Sequence, residues 1–193
     1  MPKNKIQIVW FKRDLRITDH RPIFEASINS IPTLPIYIFE TDYWKQPFAS
    51  KRHWCFIHDC LRDLRKDLKK IGQSLIVRSG SVKKIFEELS HHYNIKSILS
   101  HEETGNKWTY DRDKSLQNWC LQNKISFTEF PSNGIVRLLK NRSEWSKIRN
   151  SRMKEKLVST PTNLIPLIGI EEGIIPSKED PVFQNNYKGI VQK

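Results

Sequence analysis

The sequence predicts an α/β protein: a doubly wound, Rossmann-like sheet of five parallel strands with helices on both faces, followed by a C-terminal connector. Short apolar runs rich in β-branched residues alternate with stretches whose apolar residues recur every three or four positions. Such alternation favours a parallel sheet, and right-handed crossovers then place helices on both sides of it. A chain of 193 residues is long enough for one domain of this kind, with some chain to spare.

The strands are predicted from the apolar runs. Residues 6–11 (IQIVWF) and 33–39 (TLPIYIF) are the clearest, and weaker runs follow at residues 74–78, 96–99 and 125–130. Beyond the fifth run the alternation fades into a stretch rich in Lys and Arg, and then into a segment with four prolines and no clear period. We therefore predict an α/β domain over residues 1–135, and a basic segment and interdomain connector over residues 136–193.

The helices are predicted from apolar residues spaced three and four apart. The longest covers about residues 50–71, and its buried side is expected to include Trp54. A second helix begins after Ser81, and a third covers about residues 106–122. A further helix follows the first strand, with Asp19 as its expected N-cap.

The composition excludes several classes of protein. A net charge of +12 favours polyanionic partners such as nucleic acids, nucleotides or phosphates. No apolar run approaches the roughly 20 residues that span a bilayer, and the start of the chain does not read as a signal peptide. The three cysteines form no CxxC or zinc-type cluster, and no second histidine lies in local register with His101. We expect a cytoplasmic protein with reduced thiols, no bound metal and no membrane contact.

The turn after the first strand excludes two common nucleotide-binding sites. Residues 12–19 (KRDLRITD) contain no glycine, and neither GxGxxG nor GxxxxGK[ST] occurs anywhere in the chain. Both sites need glycines to bring backbone N–H groups close to phosphate. A Rossmann dehydrogenase or a P-loop ATPase is therefore disfavoured. Hydrolase motifs such as GxSxG and HExxH are also missing, and no residue is predicted to be catalytic.

Three predicted strand ends combine acids, aromatic rings and cations. They are residues 12–19, 40–48 and 100–108. Ligands of doubly wound sheets bind outside the carboxyl ends of the strands, so these segments should meet at one crevice. A crevice of this composition suits a flat heterocycle with polar edges.

Residues 9–20 (VWFKRDLRITDH) resemble the opening of DNA photolyases and cryptochromes, which reads W-[FH]-R-x-D-L-R-x-x-D-[NH]. Residues 101–110 (HEETGNKWTY) and 133–137 (NGIVR) are similar to a bacterial subgroup of photolyase-like proteins. The resemblance covers about residues 5–155, and Lys12 stands where the family usually has Arg.

The resemblance implies that the α/β domain holds an antenna chromophore. The helical domain that binds FAD and repairs pyrimidine dimers is expected to be absent from this chain. The chain would then be the antenna half of a deoxyribodipyrimidine photo-lyase-like protein, harvesting near-UV or blue light and not catalytic alone. Its expected partner is a FAD-binding photolyase domain, in cis or as a separate chain, and it would serve damaged DNA only indirectly.

The resemblance and the strand ends together give the expected chromophore-binding residues: Trp10, Phe11, Lys12, Arg13, Asp14, Glu40, Arg52, Glu102, Glu103 and Asn106. Folate-binding members carry a His where Pro47 stands, and an Asn-Glu pair where Trp108 and Thr109 stand. A flavin, a deazaflavin or a lumazine is therefore expected rather than a folate.

Two other functions stay open. The chain could be a stand-alone nucleotide-binding or chromophore-binding module, or a fragment of a blue-light photoreceptor without repair activity. The basic residues of segment 137–154 also permit direct binding of nucleic acid.

Overall fold

The computed structural model describes residues 3–183 and contains the expected sheet. Its five strands are β1 (Lys5–Phe11), β2 (Thr33–Phe39), β3 (Ile76–Ser79), β4 (Asn94–His101) and β5 (Ser126–Phe130). They lie in the order β3-β2-β1-β4-β5, and every pair of neighbours is parallel. The predicted fold class is confirmed.

Helices cover both faces of the sheet. They are α1 (Arg21–Ile28), α2 (Thr41–Trp44), α3 (Lys51–Lys70), α4 (Val82–His92), α5 (Lys107–Gln122) and α6 (Trp145–Met153). Buried residues of α1 and α3 share one apolar cluster with one face of the sheet, and Trp54 is fully buried there as predicted. Buried residues of α4 and α5 form the second cluster on the opposite face. The two clusters fix the strand ends, where the functional residues lie.

The predicted N-cap of α1 was wrong by one residue. Asp19 has φ +47°, which is the left-handed region, whereas an N-cap residue needs extended backbone. His20 has the extended conformation, and its Nδ1 accepts a hydrogen bond from the N–H of Ile23 at 3.2 Å. The carboxylate of Asp19 instead accepts from the N–H of Val158.

The segment after α6 packs along the free edge of the sheet. Pro166 forms a parallel bridge with Thr33, and the N–H of Val77 in β3 donates to the carbonyl of Glu172 at 2.7 Å. Gly173 permits this close approach, since its φ is +73° and a Cβ there would lie 2.1 Å from the carbonyl oxygen of Val77. The described connector is therefore bound to the domain, and the predicted boundary at residue 135 stays a prediction.

Within residues 3–183, no helix combines the length and the apolar character needed to cross a membrane.

Candidate functional site

A cavity of about 630 Å³ opens between α3 and the carboxyl ends of the central strands. This volume lies within the usual range for sites that bind small organic ligands. Its apolar wall consists of Phe11, Leu15, Ile38, Tyr43, Trp44, Phe56 and Ile57. We call it the ring cavity.

The structure brings most of the predicted chromophore-binding residues to the ring cavity. Seven line it: Trp10, Phe11, Lys12, Arg13, Glu40, Arg52 and Glu103. Asp14 and Glu102 line an adjacent polar cavity of about 300 Å³ instead. Asn106 lies apart from both, and its Oδ1 accepts from the N–H of Thr109 as the N-cap of α5. The chromophore-binding assignments themselves stay predictions.

Arg112 organises the polar wall of the ring cavity. Its guanidinium donates to Glu40 Oε2 and to Glu103 Oε2, each at 2.6 Å, and to Asp113 Oδ1 at 2.8 Å. The guanidinium also lies 4.8 Å from the centre of the Trp10 ring. Burial alone would lower the pKa of Arg112, but the three carboxylates around it raise it, so it remains charged.

Glu40 is the titratable group of this wall. Burial raises its pKa to about 7, even though Arg112 opposes the change. Within residues 3–183, only one of its two oxygens has a hydrogen-bond partner, which is Arg112. The carboxyl group can therefore present either an acceptor or a proton to a ligand near neutral pH.

Arg13 forms the rim between the two cavities. Its Nε donates to Glu103 Oε1 at 2.6 Å, and its Nη2 donates to the hydroxyl of Tyr43. Its side chain is 53% exposed, so it can be displaced at a smaller cost than the buried cations.

Lys12 lines the ring cavity, but its ammonium group is engaged by two acids. Its Nζ donates to Asp113 at 3.0 Å and to Glu129 at 2.8 Å, and it lies 4.4 Å from the centre of the Trp10 ring. Arg137 also pairs with Asp113 and with Glu129. Lys12 therefore supports the floor of the site electrostatically, and at least one cation of the basic segment has a structural role.

Two histidines share one carboxylate beside the polar cavity. Asp14 Oδ2 lies 2.6 Å from His20 Nε2 and 2.6 Å from His101 Nδ1. Burial alone would raise the pKa of Asp14, but the hydrogen bonds from the two histidines hold it well below its usual value. Burial lowers the pKa of His20, which favours the neutral ring. Since its Nδ1 accepts from Ile23, the proton of that ring lies on Nε2 and points at Asp14.

This arrangement corrects the reasoning about His101, because a second histidine does lie nearby, on a different element. Asp14, His20 and His101 each place one possible metal-ligand atom within 4.8 Å of the others, so the cluster can be compared with a metal site. Their 2.6 Å separations are those of hydrogen bonds, whereas ligands of a tetrahedral zinc are about 3.3 Å apart. The short contacts from Asp14 to the two histidines are therefore those of hydrogen bonds.

Sequence reasoning found Arg52 on α3 but missed Phe56 and Cys60 on the same face of that helix, and it missed Arg112. Arg52, Phe56 and Cys60 are spaced by four residues and all line the ring cavity, and Phe56 remains 72% exposed. The four-residue spacing of Arg52, Phe56 and Cys60 places them on one face of α3, and this spacing could be read from the sequence. Arg112 follows Trp108 by one helical turn, but two of its three carboxylate partners, Glu40 and Glu103, come from other segments.

Comparisons with known proteins agree on one family. Residues 7–147 match the family model described as DNA photolyase. The cryptochrome DASH of Xenopus laevis is 27% identical over 197 residues, which is 92% of this chain and 38% of that protein. This chain thus spans well under half the length of that relative.

Two solved structures share the fold. A cryptochrome from Synechocystis is 20% identical with a TM-score of 0.73, and the match covers 94% of this chain and 41% of that one. A photolyase from Sulfolobus tokodaii, described with two FAD molecules, is 22% identical with a TM-score of 0.63; the match covers 83% of this chain and 37% of that one.

Proposed function

This chain belongs to the DNA photolyase family, and on that premise we propose that its ring cavity holds an antenna chromophore. Members of the family bind a flavin and antenna chromophores in general. The proposed role is to harvest near-UV or blue light for FAD-dependent repair of pyrimidine dimers. In this proposal the chain supplies excitation energy and does not catalyse repair alone.

The observation that carries the proposal is the composition of the ring cavity. Tyr43, Trp44 and Phe56 provide aromatic contacts for a flat ring, while Glu40 and Arg112 form one polar wall. The unpaired oxygen of Glu40 could accept from a ring N–H. These groups fit a flavin, a deazaflavin or a lumazine, each of which combines a flat ring with polar edges.

When bound, the chromophore would absorb the light and pass the excitation energy on. The residues of this chain would bind the ring, orient it and exclude water from it. Orientation matters because energy transfer depends on the angle between donor and acceptor. Trp10 is buried, its ring centre lies 4.4 Å from Lys12 Nζ and 4.8 Å from the Arg112 guanidinium, and it would form the floor beneath the chromophore.

The proposed partner is a FAD-binding photolyase domain, in cis or as a separate chain. A surface that could meet it surrounds α6, which buries none of its own residues. Leu138 and Leu157 are each 80% exposed there, and Met153 is 53% exposed. Exposed apolar side chains on α6 and on the chain beside it are candidates for contact with another domain.

The first experiment is the absorption spectrum of the purified chain, with mass spectrometry of any molecule released on denaturation. We expect a near-UV or blue band and a flavin-like, deazaflavin or lumazine mass. Arg52→Ala should lower retention of the chromophore, because Arg52 lines the ring cavity. Arg62→Ala, an exposed position on the same helix, is the matched control. A colourless protein that takes up none of these compounds would contradict the proposal.

A further inference from the structure

The basic segment around α6 lies on the outside of the molecule. Between residues 140 and 156 the chain contains seven cations and only two acids, Glu144 and Glu155. Six of these cations are exposed and Arg152 is half-buried. The seven are Lys140, Arg142, Lys147, Arg149, Arg152, Lys154 and Lys156.

The charge of this segment is not neutralised by the chain's own acids. Arg137, just before it, pairs with Asp113 and Glu129, but none of the seven cations forms an ion pair within the described part of the chain. Exposed lysines on other helices do form such pairs, for example Lys66 with Asp63 on α3. The positive charge around α6 is therefore available to an anionic partner.

Hydrogen bonds fix one side of α6 against the chain that follows β5. The indole N–H of Trp145 donates to the carbonyl of Gly134 at 2.9 Å. The guanidinium of Arg152 donates to the carbonyls of Asn133 and Ile135, at 3.2 and 2.8 Å. Since these bonds hold one side of the helix against the domain, its opposite side faces outward.

The outer face of α6 is polar and cationic. With 3.6 residues per turn, the side opposite Trp145 carries four exposed residues, which are Lys147, Asn150, Ser151 and, directly after the helix, Lys154. This face has no acid and no apolar side chain, and Met153 lies on the flank of the helix instead. Lysine, serine and asparagine side chains are common donors to the phosphate oxygens of nucleic acids.

We propose that the outer face of α6 binds the sugar-phosphate backbone of a nucleic-acid duplex, without preference for sequence. The face offers no ring on which an unpaired base could stack, so a duplex, whose bases are already stacked, fits it better than a single strand. A helix that binds an anionic membrane needs an apolar face to enter the lipid, and α6 turns its other side toward the domain. The proposal goes beyond the antenna role and does not depend on a chromophore.

The test is fluorescence anisotropy of a short, labelled, undamaged DNA duplex titrated with the full chain at several salt concentrations. Combining Lys147→Gln with Lys154→Gln removes both lysines of the outer face. We expect this pair to weaken binding about tenfold at low salt. It should also lower the slope of log affinity against log salt by about 1.8, because each lost phosphate contact lowers it by about 0.9.

The matched control combines Lys84→Gln with Lys114→Gln, which removes the same charge from exposed lysines on α4 and α5. We expect this control to bind the duplex as the wild type does. All four substitutions are at exposed positions, and thermal unfolding should show that both variants fold.

Three results would overturn the inference. The first is the absence of salt-sensitive binding by the wild-type chain, and the second is an equal loss in both pairs, which would reduce the effect to net charge. The third is stronger binding to a single strand, to polyglutamate or to vesicles that contain phosphatidylserine than to the duplex, which would assign the face to another partner. The proposed function would stand in each case, because the assay involves no chromophore.

Discussion

Replacement of Glu40 by Gln should change how the stability of the protein depends on pH. Glu40 lies in the wall of the ring cavity with its side chain 11% exposed, and this partial burial raises its pKa to about 7 from the ordinary value of 4.5. The folded chain therefore binds this proton more tightly than the unfolded chain. Gln has a similar shape and cannot titrate, so the variant isolates the contribution of this one group.

The magnitude follows from the size of the pKa change. Each pKa unit corresponds to about 1.4 kcal/mol, so the carboxylate costs the folded state about 3 kcal/mol once it is ionised. The cost is absent below about pH 4.5, grows as the pH rises toward 7, and is then constant. The free energy of unfolding of the wild-type chain should fall through this window, and that of Glu40→Gln should lack this fall.

The assay is urea unfolding followed by circular dichroism between about pH 4.5 and about pH 8. We predict that the stability of Glu40→Gln relative to wild type rises by about 3 kcal/mol across this range. Glu144→Gln replaces an exposed carboxylate and should show no such rise. Parallel curves for wild type and Glu40→Gln would refute the reasoning about burial at the ring cavity.

Two further predictions concern the supports of the site. Trp54→Ala should destabilise the fold by about 3–5 kcal/mol in urea unfolding. The indole of Trp54 is fully buried, and its N–H donates to the carbonyl of Ser177 at 2.9 Å. A loss of stability below about 1 kcal/mol would contradict this burial. Gly173→Ala should loosen the connector from β3, because its Cβ would collide with the carbonyl of Val77. The amide of Val77 should then exchange its hydrogen faster, and unchanged exchange would show that the connector tolerates a side chain there.

The sheet could be predicted because short apolar runs in the sequence indicate buried strands. The second run matched β2 at both ends, and the helix predicted over residues 50–71 is α3, Lys51–Lys70. Two helices were not predicted. The first, α2, has only four residues, and α6 buries none of its residues, so neither produces a readable apolar period.

Most of the site residues that were predicted lie at strand ends, and Arg52 came from the family resemblance. Glu40 and Glu103 come one and two residues after the ends of β2 and β4, and parallel topology brings them together at Arg112. The pairing of His20 with His101 was missed, because 81 residues separate them and only the strand order makes them neighbours. Side-chain partnerships across elements depend on three-dimensional packing, which local spacing does not encode.

The most direct test of a chromophore in the ring cavity is a crystal structure of the chain grown with riboflavin. We predict electron density for a flat ring between α3 and the ends of β1 and β2, in contact with Tyr43 and beside Glu40. A ring bound elsewhere on the surface, or a ring cavity filled only by solvent at saturating riboflavin, would contradict it.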